Sequence, residues 1–220
     1  MPTPIARGES SARFPWTWSI ARWIEGTPGD QLGDVELGEC ASDLGTFLAS
    51  LHTPAPDDAP NNALRGVALS TMAAAFERRL DELGSVVDGA TIAGVFRGAM
   101  TAAPWHHEPR WLHGDPHPAN LIFEGSRLVG VIDFGDLCRG DPASDLAGGL
   151  LTLPHHGLER FFDAYGEIDA ATRLRTIGWA LHMGLMFVLL GRRGRASYAR
   201  VGERALENAL RCAKDLERQV

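Results

Sequence analysis

The stretch WLHGDPHPANLIFEGSRLVGVIDFGD, residues 111–136, constrains this chain more than any other. Pro116 and Pro118 fix φ and remove two backbone donors, so the segment carrying Asp115 and Asn120 reads as an ordered, non-helical loop. Residues 121–123 then resume as a short strand, Gly125 and Ser126 supply a turn, and 128–132 form a second apolar run that ends at Asp133. Two strands joined this way make a hairpin, and a hairpin returns Asp133 to the side of Asn120.

That return brings three oxygen-bearing side chains together. Asn120 and Asp133 offer an amide oxygen and a carboxylate to a hard cation, while Asp115 stays free to accept a proton, an arrangement suited to Mg²⁺-assisted phosphoryl transfer. A rival reading takes His113, Asp115 and His117 as alternating ligands for Zn²⁺ or a dinuclear centre, which would make the protein a metal-dependent hydrolase. Pro116 and Pro118 disfavour the regular strand such a set needs, and IDFGD would be left without a role. Asp115 by itself is an ordinary turn residue; its weight comes from Asn120 and Asp133.

HGDPHPAN followed by IDFGD resembles the catalytic core of the aminoglycoside phosphotransferase family, relatives of the protein kinases. The resemblance implies a protein-kinase-like α+β fold, mainly its helical C-terminal lobe with a catalytic-loop β-hairpin and a residual hairpin of the small N-terminal lobe. It implies an ATP- or GTP-dependent and Mg²⁺-dependent small-molecule O-phosphotransferase, of the type linked to antibiotic resistance. Asp115 corresponds to the catalytic base, Asn120 and Asp133 to metal ligands, and His113 to a residue that shapes the loop. Asp145, in DPASDLA, is similar to a buried family Asp that supports the catalytic-loop backbone, and the backbone at Trp23, Ile24 and Glu25 corresponds to the hinge that meets the nucleobase.

The rest of the chain fits a globular protein. Apolar residues at 45% and charged ones at 22% are ordinary for a packed domain. A net charge of −7 argues against nucleic-acid binding and tilts the acceptor towards a cationic small molecule. Cys40, Cys138 and Cys212 lie far apart with no C-x-x-C, which suits free thiols in a reducing cytoplasm. The first ten residues lack an apolar signal core, so secretion is not expected. Residues 177–190 are strongly apolar but short for a bilayer and contain His182, so they read as a buried helix and no membrane partner is expected.

In chain order, residues 3–6 and 17–24 have strand composition around a turn at 8–13, and the segment is rich in aromatics, with Phe14, Trp16, Trp18 and Trp23. Residues 35–51 predict one helix with Asp34 as N-cap, 53–62 a loop, and 66–83 and 91–103 two further helices. His106 and His107 read as surface loop. Asp141 is placed to cap a helix with Pro142 at its first position, and Asp136 either closes its turn or approaches the metal through water. Helices are expected over 158–165, 170–190 and 198–216, with Asp163, Glu167 and Asp169 as a charged helix end that could meet substrate ammonium groups.

Two organisational expectations follow: a residual small-lobe hairpin and hinge over 1–25, and a helical large lobe with the catalytic and metal loops over 26–220. No G-x-G-x-x-G precedes the aromatic segment, and the single lysine, Lys214, lies in the last predicted helix. A kinase of this type grips its triphosphate with such a loop and a strand lysine, so the chain by itself is expected to be a poor kinase, a truncated or inactive form. The alternative function is a non-catalytic, kinase-like binding or regulatory module. The unpaired apolar edge of the N-terminal hairpin is expected to pair with a second copy, giving a homodimer.

Overall fold

The computed structural model describes residues 2–218. Among these residues there are eight helices of six or more residues and three small antiparallel sheets. The N-terminal hairpin joins β1 (Pro4–Gly8) to β2 (Trp18–Ala21), with Gly8 opposite Trp18 and a bulge between Pro4 and Ala6. β3 (Thr27–Pro28) lies along β5 (Leu121–Glu124), which pairs with β6 (Arg127–Val131) across the Gly125 turn. β4 (Arg110–Leu112) pairs with β7 (Cys138–Gly140). The two strands expected around Gly125 therefore form, with every end within one residue of the anticipated one.

Helices α1 (Asp34–Glu39) and α2 (Ala41–Leu51) divide what the periodicity reads as one helix. The division falls at Cys40, whose backbone leaves helical geometry (φ −86°, ψ 6°) and whose thiol donates to the Leu37 carbonyl at 3.1 Å. The N-cap also moves: Gly33 holds it, with the Glu36 carboxylate accepting from the Gly33 N–H at 3.1 Å, and Asp34 is the first helical residue. Glycine has no side chain to accept from the first helical N–H groups, so the Glu36 bond to its N–H is the half of a capping box that forms.

Helix α3 (Ala73–Leu83) starts later than its pattern predicts. Gly66 sits at φ +65° against the backbone of β7, and its carbonyl accepts from the Asp141 N–H at 2.9 Å, so residues before Leu69 are bound to the sheet instead of the helix. Helix α4 (Gly89–Met100) is capped by Asp88, which accepts from the Thr91 N–H at 3.2 Å. The C-terminal half runs α5 (Ala143–Thr152), α6 (Leu158–Tyr165), α7 (Ala170–Arg192) and α8 (Ala196–Glu217).

Helix α7 is the axis of the core. It is 23 residues long, nine more than the apolar run 177–190, and by length and composition it could cross a bilayer; its apolar window is instead 78% buried inside the protein. It packs along α8 and against α5, α4 and α3, placing Trp179, Leu181 and Leu185 out of solvent. The three cysteines are free, and burial pushes the Cys40 and Cys138 thiols up to about 12 and Cys212 to about 11, so all three stay protonated and inert at neutral pH.

The N-terminal hairpin stands apart from this core. Ile5, Phe14, Trp16, Trp18, Ile20 and Trp23 are exposed, Trp23 at 84%. The strand expected over 17–24 ends at Ala21, because Arg22–Glu25 leave the pairing register and only Ile24 packs back, against Gly130 of β6.

His182, inside α7, accepts from Arg79 of α3 at 2.8 Å, and burial with the neighbouring guanidinium pushes its pKa down to about 3. The imidazole therefore stays neutral in the fold while the unfolded chain protonates near 6.5. Stability is complete above pH 6.5 and is lost as pH falls towards 3, by up to about 1.4 kcal/mol per pH unit. Urea midpoints measured from pH 7 to pH 4 should fall more steeply for the unaltered protein than for H182Q; parallel slopes would contradict the assignment.

Candidate active site

The loop of residues 113–120 hangs from one carboxylate. Asp145, in the first turn of α5, is fully buried, and its Oδ2 accepts from the His113 N–H at 2.6 Å while Oδ1 accepts from the Gly114 N–H at 3.0 Å. Its third partner is the His52 imidazole, Nε2 at 3.2 Å from Oδ2, whose Nδ1 meets the Tyr165 hydroxyl at 2.8 Å. Gly114 takes φ +87° with its α-carbon against the Asp136 carbonyl, a position with no space for a side chain. Asp141 works beside it: Oδ1 accepts from the Ala143 N–H at 3.0 Å, and the buried Arg175 pairs with Oδ2 at 2.6 Å. The N-cap is Pro142 and not Asp141 as the sequence predicts, because Pro142 takes the turn before the helix and α5 starts at Ala143; Asp141 lies one residue further out and accepts from the first helical N–H.

His113 links the two halves of the site. Its Nε2 lies 2.9 Å from the Ile132 carbonyl, its Nδ1 accepts from the Asp115 N–H at 3.2 Å, and its ring leans on Phe134. Both nitrogens are therefore engaged within the protein. His117 uses Nδ1 to accept from the Ala119 N–H at 3.3 Å and turns Nε2 towards Asp115 Oδ2 at 3.5 Å; burial is the main cause holding its pKa below the ordinary value. His113 therefore has no free nitrogen for the three-residue zinc set that the hydrolase reading needs, while His117 keeps Nε2 facing the Asp115 carboxylate.

The hairpin brings the backbone of Asn120 against that of Ile132, the residue before Asp133. The Ile132 N–H donates to the Asn120 carbonyl at 2.9 Å, so Asp133 is the next residue along from that contact. The Asn120 amide nitrogen donates to the Asp115 carbonyl at 2.9 Å, which leaves its Oδ1 facing the other way. Asp133 is the one non-glycine residue with positive φ among the described residues (φ 61°, ψ 63°), a left-handed turn that costs on the order of 1 kcal/mol and swings the carboxylate off the end of β6. An amide oxygen and a carboxylate near a second carboxylate, Asp115, are donors that could serve a Mg²⁺ ion taking its remaining ligands from water and phosphate. No group of three His, Cys, Asp or Glu able to hold a metal occurs among the described residues.

The sequence reading missed the segment 62–66. Arg65 donates through Nε to the Gly114 carbonyl, and its NH2 lies 3.4 Å from Asp115 Oδ1. Asn62 donates to Asp136 Oδ1 at 2.9 Å, so Asp136 is held by the protein and closes its turn. Gly66 donates to the Ser144 hydroxyl at 3.1 Å. Arg65 and Asp115 are 50 residues apart, and NNALRG carries no motif that would have announced the contact.

Other anticipated residues sit elsewhere. Asp169 caps α7, accepting from the Thr172 N–H at 2.6 Å, which lowers its pKa. With Asp163, Glu167 and Arg173 it lines a cavity of about 690 Å³ that includes no residue of the 113–120 loop. His106 and His107 are exposed, His107 edge-on to Trp105.

Residues 1–180 match the model of the phosphotransferase enzyme family. A homoserine kinase of Methylocella silvestris is 36% identical over 115 residues, covering 50% of this chain and 35% of the kinase, so this chain spans about a third of that relative's length. Among solved structures, the GDP and kanamycin complex of APH(2")-IIia superposes with a TM-score of 0.61 at 20% identity, covering 94% of this chain and 75% of the other. A macrolide 2'-phosphotransferase from Brachybacterium faecium gives 0.53 at 20% identity, with 93% and 72% covered.

The Asp145 contacts generate a stability test. D145N replaces one acceptor oxygen by an amide donor facing a buried N–H, which should cost about 2–3 kcal/mol in chemical denaturation. R175M, which strands the buried Asp141 carboxylate, should cost about 3–5 kcal/mol. A loss below 0.5 kcal/mol in both would show that these groups do not carry the loop.

Proposed function

Because this chain belongs to the phosphotransferase enzyme family and has a protein-kinase-like α+β fold, we propose that it takes part in transfer of the γ-phosphoryl group of ATP or GTP to a hydroxyl of a small molecule. The observation that carries the proposal is the grouping of Asp115, Asn120 and Asp133 on two loops joined by His113 and by the Ile132–Asn120 bond.

Asp115 acts as the base. Its carboxylate is partly exposed while its backbone is tied down through His113 and Asn120, so it can orient an acceptor hydroxyl and take its proton. The hydroxyl oxygen bonds to the γ-phosphorus as the bond to the bridging oxygen breaks, and the nucleoside diphosphate leaves with those electrons. Asn120 and Asp133 would hold Mg²⁺, whose charge would neutralise that of the phosphates. Asp145 and His113 position the loop. The irregular backbone at Trp23, Ile24 and Glu25, between the end of β2 and the body that begins at residue 26, is the side on which the nucleobase would lie.

The acceptor is a small hydroxylated molecule, and two classes are favoured by what the chain resembles: an amino-acid alcohol, as in homoserine kinase, or an aminoglycoside. The net charge of −7 favours a cationic acceptor. The second reading, a module that binds Mg²⁺ and nucleotide without turnover, is favoured by one observation: the single lysine, Lys214, lies in the last turn of α8. The exposed aromatic face and open edges of the N-terminal hairpin favour association with a second copy.

Nucleotide titration with and without Mg²⁺, followed by phosphate transfer to homoserine, amino alcohols, aminoglycosides and macrolides, tests the proposal. D115N should lose turnover by about 10²–10⁴-fold and keep nucleotide affinity, whereas D133N should lose the Mg²⁺-dependent part of that affinity. Nucleotide binding without turnover on any acceptor would favour the second reading. In sedimentation, the unaltered protein should dimerise with rising concentration and W16S/I20S should not; a strict monomer at high concentration would sink the pairing.

A further inference from the structure

We infer that Arg65 is a phosphate-binding residue of this site, turning its outer guanidinium nitrogen from Asp115 to the transferred phosphoryl group; the inference rests on the phosphotransferase reading above. Asp115, Asp133 and Asp136 put three carboxylates on two adjacent loops, and a nucleoside triphosphate brings further negative charge. Among the described residues Arg65 is the one Arg or Lys side chain in ion-pair contact with any of these three.

The geometry supplies both an anchor and a free end. Nε donates to the Gly114 carbonyl and NH1 to the Leu64 carbonyl at 3.1 Å, which fix the plane of the guanidinium. NH2 reaches Asp115 Oδ1 only at 3.4 Å, a weak contact that a charged phosphate oxygen at normal hydrogen-bond length would displace. A lysine could not do both, since a single ammonium on a flexible stem has no second nitrogen for the anchor.

The segment bearing Arg65 is itself tied to the site. Asn62 bonds Asp136 in the metal-side turn, and Gly66 is held from both sides, by the Ser144 hydroxyl and the Asp141 N–H. Arg65 is thus fastened to the loop of Asp115, the turn after Asp133 and the start of α5, three elements that must keep register during transfer. Its side chain is 12% exposed, enough to meet a ligand from the Asp115 side.

Affinities of MgATP and MgADP for the unaltered protein, R65Q and R65K test the assignment, because the two nucleotides differ in the phosphoryl group that Arg65 would touch. R65Q should weaken MgATP about tenfold and leave MgADP unchanged, and R65K should weaken MgATP about threefold. MgADP binding reports that each variant is folded; if R65Q binds neither nucleotide, R65K decides. Equal weakening of both nucleotides, or of neither, in the deciding variant would overturn the role of Arg65 alone. If the unaltered protein binds neither these nucleotides nor MgGTP and MgGDP, the phosphotransferase reading falls and the Arg65 assignment falls with it; if it binds only the guanine pair, the same comparison is made with MgGTP and MgGDP.

Discussion

The carboxylate of Asp145 has no exposed surface, and a charge in that position is tolerable only if its oxygens are filled. They are filled by the two backbone N–H groups that begin the candidate catalytic loop and by His52, and the first turn of α5 adds the favourable end of a helix dipole. The requirement works in both directions. The loop cannot leave without stranding a buried anion, and α5 cannot shift without losing the loop. Gly148, one turn further along, sits so close to the Pro116 carbonyl that a side chain would collide with it, so the same helix face that holds the start of the loop also sets its middle.

From that anchor the rest of the site follows by short hydrogen bonds. His113 transmits the position to the Ile132 carbonyl and the Asp115 N–H, and Asn120 closes back onto the Asp115 carbonyl. The hairpin places Asp133 at the end of β6, where a left-handed turn lets the chain change direction towards Phe134. Each side chain of the proposed chemistry is therefore on a loop, and each loop is bound to a helix or strand, the division of labour expected of a rigid scaffold that carries function on its connections.

Helix α7 makes the scaffold rigid. Its sides are covered by α3, α4, α5 and α8, so the apolar length that could suggest a membrane is spent on the core. Arg175 extends this scaffold to the loop side: from α7 it pairs with Asp141, whose backbone is bonded to Gly66 and whose next turn carries Asp145. Core packing and loop position are thus coupled through buried charge.

The sequence by itself determined whatever is encoded over about twenty residues. Two prolines kept α-helix and strand out of the segment at Asp115, although Pro118 opens a single 3-10 turn that ends at Asn120, and the Gly125 turn between apolar runs forced the hairpin that returns Ile132 to Asn120. The 3.6-residue periodicity found α6 to the residue and α7 and α8 to within two residues, because an amphipathic helix shows its buried face locally. Only tertiary structure decided the break at Cys40, the late start of α3 and the fate of the histidines. Gly66 belongs to a sheet edge far along the chain, and the alternation of His113 and His117 says nothing about which carbonyl or amide captures each ring. Arg65 with Asp115, 50 residues apart, and His52 with Asp145, 93 apart, were invisible for the same reason. Such partners are selected by how helices dock, and docking depends on the summed shape and burial of the whole core, which no local spacing records.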